Sequence, residues 1–193
     1  MEKIDYFKRE INYIKNESHQ KDLIYLINNL PDYFFEIPAS STGKYHPDYA
    51  RSEHGLVKHT KVVCRICYEL LNNPIIGGKY TDNEKDLLLI ATLLHDGLKS
   101  GFDHEKYTRF DHPILAANYV RDNMDNLELS DEEIEFVAEA IETHMGPWTT
   151  DYNGEEVLSP PKTKYQNLVH MCDYLASKKF INVNFDENID IEG

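Results

Sequence analysis

The chain has 193 residues, 41% of them hydrophobic and 28% charged, which suits a single globular domain with a buried core. No apolar run is long enough to cross a bilayer, and the opening MEKIDYFKRE lacks a signal-peptide core, so we expect a cytoplasmic protein without membrane contact. The formal net charge of −14 argues against tight binding to long nucleic acid, but a short oligonucleotide or a nucleotide could still bind in a local basic pocket.

The N-terminal quarter predicts two short helices and a loop. The helices are expected over residues 3–17 and 20–29, and Pro31 ends the second because proline cannot continue a helix. The polar stretch from Ala39 to Tyr49 (ASSTGKYHPDY) predicts a loop that leads into the main helical body.

A strongly amphipathic helix follows this loop. Apolar residues recur at helical spacing between Leu56 and Leu71, which predicts one buried face. Four charged residues lie off this apolar stripe: Lys58, Lys61, Arg65 and Glu69.

The same stripe contains a lone C-x-x-C, formed by Cys64 and Cys67. Cys172 is the one further cysteine, and an odd number of thiols does not suggest a disulfide framework. No second C-x-x-C follows, so burial in the core is favoured over a metal or redox role.

Two further helices are predicted in the middle of the chain. Thr81-x-x-Glu84 is a capping box, and it opens a helix whose body, DLLLIATLL, is apolar on every face and should be buried on all sides. Asp111 and Pro113 suit the first turn of a helix that runs to about Asn123.

The C-terminal part predicts two more helices. Ser130-x-x-Glu133 is a second capping box, and the helix that it opens should end near Gly146-Pro147. The last helix should run from about residue 163 to residue 179.

The remaining segments are irregular. Residues 149–159 form either a lid over a site or simply a long loop. The acidic tail, residues 181–193, has no Lys or Arg and is expected to be solvated or loosely docked. No segment alternates like a strand, so the sequence predicts an all-α fold, with one domain over 1–193, its core at about 50–180 and the helices of 3–30 packed on it.

Ionisable residues fall on the apolar sides of five of these predicted helices. Taken singly, a core histidine is more often just hydrogen-bonded, and a buried aspartate can cap a neighbouring helix. One shared cation accounts for all of them more economically, and imidazole and carboxylate ligands suit Mn²⁺, Fe²⁺, Co²⁺, Ni²⁺ or Zn²⁺. The residues are His59, His95, Asp96, His112, His144 and Asp173.

Three sequence words around these residues resemble a known family. SEHGLVKHT, ATLLHDGLK and LVHMCDYLASK carry the pattern H…HD…D and resemble the HD-domain phosphohydrolase superfamily over about residues 50 to 180. The resemblance implies an HD-type helical bundle that hydrolyses a phosphoester. It also implies that His59, His95, Asp96 and Asp173 hold a metal, and that Asp96 positions the attacking hydroxide.

Two further sequence motifs are relevant to the number of metal ions that bind. FDHPILAANYV and IETHMGPW place His112 and His144 where the dinuclear branch of the superfamily has its additional ligands. This implies two ions bridged by Asp96, and the alternative is one ion with the two histidines gripping phosphate. The run from THMGPW through SPPKT to LVHMCDYLASK is also similar to the HD domain of certain bacterial 3′-to-5′ exoribonucleases, and small phage-encoded HD proteins look similar as well.

The chain departs from the family pattern at two positions. The usual HD-x-G-K is HDGLK here, so the glycine is shifted by one place while Lys99, a candidate catalytic phosphate contact, keeps its own. The first glycine of the family's S-x-G-G-L is His54, which either touches substrate or is an exposed residue at a helix start.

Three more residues are candidates for binding substrate. Arg51 and Arg109 could bind phosphate, although each taken singly is more readily a surface charge. Trp148 could stack on a nucleobase or be buried against the bundle.

Three functions remain open from the sequence. The first is a phosphohydrolase acting on a nucleotide or small cyclic nucleotide, the second an exonuclease on short single strands, and the third a non-catalytic module that binds a nucleotide or a partner. A homo-oligomer is possible, since HD proteins often pair.

Overall fold

The computed structural model describes residues 2–40 and 46–192, so residues 41–45 of the predicted loop lie outside the described part. The described residues form eight α-helices, four short 3-10 helices and two isolated β-bridges, with no strand among them. No helix in these ranges combines the length and the apolar character needed to cross a bilayer.

The first of the two N-terminal helices is shorter than expected, and the second is longer. A 3-10 turn, Lys3–Phe7, continues into α1, Lys8–Ile11, and α2 then spans Glu17–Asn29. The predicted helix over 3–17 is therefore wrong in its second half, because the carboxylate of Asp86 accepts the backbone N–H groups of residues 15 and 16. Because those two N–H groups bind Asp86, the first helix does not continue. Asn16 becomes the N-cap of α2, where its side chain accepts the N–H of Ser18.

Six helices make up the body of the bundle. They are α3, Gly55–Asn72; α4, Pro74–Gly77; α5, Asp82–Leu94; α6, His112–Asp122; α7, Asp131–Glu142; and α8, Lys164–Ala176. Both predicted capping boxes form, at Thr81 and at Ser130. Helix α5 lies in the middle, in contact with α3, α7 and α8, and it is buried on every face from Asp86 to Leu94. The all-α prediction is confirmed.

Helix α7 ends earlier than the sequence predicted. It stops at Glu142, and tight turns with hydrogen bonds between residues three apart continue to residue 147. Gly146 belongs to these turns, with a φ of 69°, and a Cβ there would lie 2.1 Å from the ring of His170. His144 therefore sits in a turn beyond α7 rather than on the helix.

The three cysteines lie in the core, as expected. The side chains of Cys64 and Cys67 on α3 and of Cys172 on α8 have no exposed surface. Burial raises the pKa of the Cys64 thiol well above its usual value, so this thiol is held in its neutral form.

The acidic tail is docked rather than solvated. Lys61 of α3 has no exposed surface, although it lies off the apolar stripe, and its ammonium lies 2.5 Å from a carboxylate oxygen of Asp190 and 3.4 Å from one of Glu10. The ammonium also donates to the backbone carbonyl of Tyr6 at 2.6 Å. The guanidinium of Arg9 in turn donates to the carbonyl of Ile191, so the tail closes over the start of the chain.

Asp190→Ala is expected to lower the free energy of unfolding by about 1–3 kcal/mol, because it leaves a buried ammonium short of a charged acceptor. Urea denaturation measures this change. Glu187→Ala is the matched control, since Glu187 is an exposed acid of the same tail, and its effect should stay within about 0.5 kcal/mol. Equal losses in the two variants would show that the buried pair is unimportant.

Candidate metal centre

The six residues proposed as ligands come together at one end of the bundle. They are supplied by the second turn of α3, the C-terminal end of α5, the first residue of α6, the turn after α7 and the last turn of α8. Five of the six side chains are buried, and Asp173 is 19% exposed. Among the six, Asp173 therefore marks the side on which the cluster opens to solvent.

One part of the cluster lies between α3, α5 and α8. The Nε2 atom of His59 is 2.9 Å from a carboxylate oxygen of Asp173 and 3.8 Å from Oδ2 of Asp96. The Nε2 atom of His95 is 3.4 Å from the same Oδ2 and 3.7 Å from Asp173. Two imidazole nitrogens thus face two carboxylates at distances short enough for all four groups to coordinate one ion.

The second part lies on the other oxygen of Asp96. Oδ1 of Asp96 is 3.1 Å from Nε2 of His112 and 3.7 Å from Nε2 of His144, and these two nitrogens are 3.2 Å apart. Two triads whose ligand atoms lie within 4.8 Å of one another therefore share Asp96: His59, His95 and Asp96, and Asp96, His112 and His144.

Three of the histidines are oriented by the same kind of hydrogen bond to the backbone. The Nδ1 atoms of His95, His112 and His144 each lie 2.6 to 2.7 Å from the backbone carbonyl three residues earlier, and each therefore donates its proton there. In the neutral ring the other nitrogen, Nε2, then carries a lone pair. This arrangement orients an imidazole for metal binding, because the hydrogen bond fixes both its tautomer and its direction.

The arrangement fits a bound cation. With both Nδ1 protons engaged, the nitrogens of His112 and His144 face each other lone pair to lone pair at 3.2 Å, an arrangement that needs a proton or a cation between them. Nε2 of His95 and Oδ1 of Asp96 are buried and have no hydrogen-bond partner among the described residues. Buried polar atoms without partners are costly, and a divalent ion with nitrogen and oxygen ligands satisfies them together.

The electrostatics favour a charged carboxylate at the centre. Burial alone would raise the pKa of Asp96, but Lys99, His95 and His112 outweigh it and hold the pKa well below its usual range. Burial, together with His95 and His112, lowers the pKa of His144 to about 3, so this ring is neutral at physiological pH. An ionised carboxylate and a neutral imidazole are the forms that bind metal.

Lys99 keeps the position that the family pattern gives it. Its ammonium lies 2.5 Å from Oδ2 of Asp96, and only 8% of the residue is exposed. A Cβ on Gly97 would approach a terminal methyl group of Leu30, just beyond α2, to 2.8 Å, so the flexible end of that side chain would have to shift.

His54 stands where the backbone requires an unusual conformation. Its φ of 59° is left-handed, which explains why glycine suits this position in the family. The Nδ1 atom donates to the carbonyl of Phe35 at 2.5 Å, and the ring packs against Tyr6. The next residue, Gly55, must be glycine because a Cβ would lie 2.3 Å from the carbonyl oxygen of Ala50.

The two arginines are engaged with carboxylates. Arg109 forms a two-pronged pair with Asp111 and a second pair with Glu105, while its backbone carbonyl orients His112. Arg51 pairs with Asp48 on the surface. Neither guanidinium is in contact with the six clustered residues, within the described part of the chain.

Trp148 lies on the surface next to the turn that carries His144. It is 51% exposed and stacks on Tyr174 with ring centroids 5.8 Å apart. On Tyr174 lies the ammonium of Lys178, 3.5 Å from the ring centroid. The edge of Trp148 meets His170, whose Nδ1 donates to the carbonyl of His144, so the aromatic stack is connected to the cluster.

His46 also contacts the cluster, although no sequence pattern singled it out. Its ring meets that of His59 edge to face at 4.8 Å, and the residue is only 9% exposed. It lies in a segment without periodicity, so no pattern of apolar residues could have indicated its burial. The one local signal is the proline that follows it.

The irregular segment 149–159 contains one isolated bridge, between Thr150 and Glu156. Tyr152 is 95% exposed, and its ring contacts that of Phe110 in the loop before α6. Segment 149–159 therefore contacts the loop that precedes α6.

Comparison with protein families identifies an HD domain in this chain. The HD domain model matches residues 56–178, a range that contains all six clustered residues and Lys99 but not His46, Arg51 or His54. A search of solved structures finds no match.

Proposed function

The chain belongs to the HD-domain superfamily of metal-dependent phosphohydrolases, and we propose that it hydrolyses a phosphoester of a nucleotide or small cyclic nucleotide at the Asp96 cluster. The single observation that carries the proposal is the pair of ligand triads sharing Asp96. Lone histidine clusters are common, but two triads on one ionised carboxylate make an arrangement that a purely structural role does not require.

We propose two divalent transition ions, one on each triad, from among Mn²⁺, Fe²⁺, Co²⁺, Ni²⁺ and Zn²⁺. His59, His95, Asp96 and Asp173 would hold the first ion, and Asp96, His112 and His144 the second. When bound, such ions lower the pKa of a water and neutralise the charge that develops on a phosphoryl group. The opening beside Asp173 is the side from which a small phosphorylated substrate would enter.

The protein groups around the ions have separate roles in this proposal. Asp96 would accept a hydrogen bond from the attacking water and so orient it toward phosphorus. Lys99, whose ammonium lies beside Oδ2 of Asp96, would donate a hydrogen bond to a phosphoryl oxygen. The carbonyls of residues 92, 109 and 141 keep the three imidazoles in one tautomer throughout.

A panel of phosphoesters tests the proposal. Mononucleotides, cyclic nucleotides and short single-stranded RNAs are incubated with the protein and Mn²⁺, Co²⁺ or Ni²⁺, and products are separated by chromatography. Release of phosphate from a mononucleotide, or opening of a cyclic nucleotide to its monophosphate, supports the proposal. Stepwise shortening of RNA would support the exonuclease that the exoribonuclease-like words suggest, although the net charge of −14 disfavours that substrate. Tight binding of one compound without turnover of any would favour a non-catalytic binding module.

Trp148→Ala is expected to raise KM for a nucleotide on the order of tenfold, because the open face of Trp148 extends the stack on Tyr174 and would hold a base. KM for an aliphatic phosphoester such as glycerol phosphate should stay unchanged, and Trp148→Phe should recover most of the loss. Steady-state kinetics on both substrates measure the difference. Ile75→Ala, an exposed apolar residue of α4, is the control. Equal effects on the two substrates would exclude base stacking.

A further inference from the structure

His46 is a buried histidine without a structural role that explains its burial. It is 9% exposed, and its Nδ1 atom has no hydrogen-bond partner among the described residues. Leaving a buried polar atom unpaired costs about 1–3 kcal/mol, so a position of this kind calls for a ligand that completes it.

The backbone around His46 is well anchored. Its carbonyl accepts a hydrogen bond from Nε of Arg51 at 3.0 Å, and the 3-10 turn Asp48–Ala50 follows directly. Ala50 is tied to Ala39 by a backbone hydrogen bond of 2.9 Å. The ring is therefore held against His59 by the fold rather than by chance rotation of a free loop.

The ring of His46 lies near the solvent-exposed side of the cluster, the side of Asp173. The ring of His46 contacts that of His59, whose Nε2 atom lies 2.9 Å from a carboxylate oxygen of Asp173. Asp173 is the clustered residue that is partly exposed, so His46 lies on the side where a substrate would enter.

His46 differs from the four clustered histidines in how it is placed. Each of those pairs with Asp96 within 3.8 Å, whereas among the described residues no ion pair links His46 to Asp96 or Asp173. This difference argues against a further metal ligand and favours a group that meets the substrate.

We propose that His46 donates a hydrogen bond to a phosphoryl oxygen of the bound substrate, and to inorganic phosphate when that is bound instead. The inference rests on the proposed function, because a phosphate dianion would be repelled by Asp96 and Asp173 without divalent charge at the site. It adds to the site a residue outside the matched range 56–178, contributed by the loop that precedes α3.

The test uses the full-length protein loaded with Mn²⁺ and titrates inorganic phosphate by calorimetry, with metal content measured in parallel. His46→Ala should weaken phosphate binding roughly tenfold and leave the metal content unchanged. His46→Gln, which keeps an N–H donor at a similar reach, should recover part of the affinity. His104→Asn is the control, since His104 is an exposed loop histidine stacked on Tyr33.

The outcomes separate the alternatives. Unchanged phosphate affinity in His46→Ala, or absence of phosphate binding to the loaded wild type, would overturn the inference. Loss of metal in step with phosphate would also overturn it, by making His46 a ligand. Because phosphate binding needs no turnover, a tenfold loss in His46→Ala would sustain the inference even if every compound in the substrate panel stayed intact. A thermal melt of each variant excludes misfolding as the cause, and the Gln variant serves if the Ala variant is unstable.

Discussion

Asp96→Ala is expected to release both ions and to reduce hydrolysis on the order of a thousandfold or more. The reason is that Asp96 alone belongs to both triads, with Oδ2 facing His59 and His95 and Oδ1 facing the other two histidines. Without Asp96, the first ion would have only two histidines and Asp173 as ligands. The second ion would have only two histidines. Elemental analysis of the purified protein and single-turnover kinetics measure the two effects.

The best control for this variant lies on α5, the helix that ends just before His95 and Asp96. Asp86 is a buried aspartate of α5 that accepts the backbone N–H groups of residues 15 and 16, far from the cluster along the helix axis. Asp86→Ala should lower stability by about 1–3 kcal/mol and keep its metal, whereas Asp96→Ala should lose its metal. A metal-dependent rise in melting temperature should be present in the wild type and absent in Asp96→Ala. Full metal content in Asp96→Ala would contradict the bridging position of this residue.

The features that the sequence predicted well are those determined locally. The capping boxes at Thr81 and Ser130 bond within four residues, so a short motif is enough to locate them. The burial of α5 on all sides follows from its continuous apolar run, which has no polar face to present to water. The convergence of the six ionisable residues could be anticipated because each lies on the apolar side of its own segment.

The features that the sequence did not predict depend on distant partners. Lys61 is buried because Asp190, 129 residues further along the chain, reaches its ammonium, and no local pattern encodes that meeting. The early end of α1 has the same origin, since the carboxylate that binds the N–H of Lys15 is 71 residues away. His46 is buried by the fold of a non-periodic segment. Pairing across the chain, rather than periodicity, decides each of these positions.

His112→Ala is expected to lower the metal content from about two ions per chain to about one and to reduce kcat on the order of a hundredfold. The second triad would be left with Asp96 and His144, too few protein ligands for a stable site, while the first triad would keep His59, His95 and Asp96. Equilibrium dialysis with Mn²⁺ or Co²⁺, followed by elemental analysis, gives the stoichiometry. His19→Gln, a buried histidine near Asp86 and Glu133, is the control and should keep both ions.

The same measurement decides between two ions and one. If His112 and His144 bind phosphate beside a single ion, the wild type and His112→Ala will both bind one ion, and the variant will instead bind inorganic phosphate more weakly.

The 3.2 Å distance between the Nε2 atoms of His112 and His144 favours the two-ion arrangement. A phosphate oxygen accepts hydrogen bonds. Because the Nδ1 proton of each neutral ring is already donated to a carbonyl, the remaining nitrogen carries a lone pair and cannot donate a hydrogen bond to the phosphate. To grip phosphate, both rings would have to be protonated, and burial, together with the neighbouring histidines, lowers the pKa of His144 to about 3. A cation needs no such protonation, so the stoichiometry should fall from two ions to one in the variant.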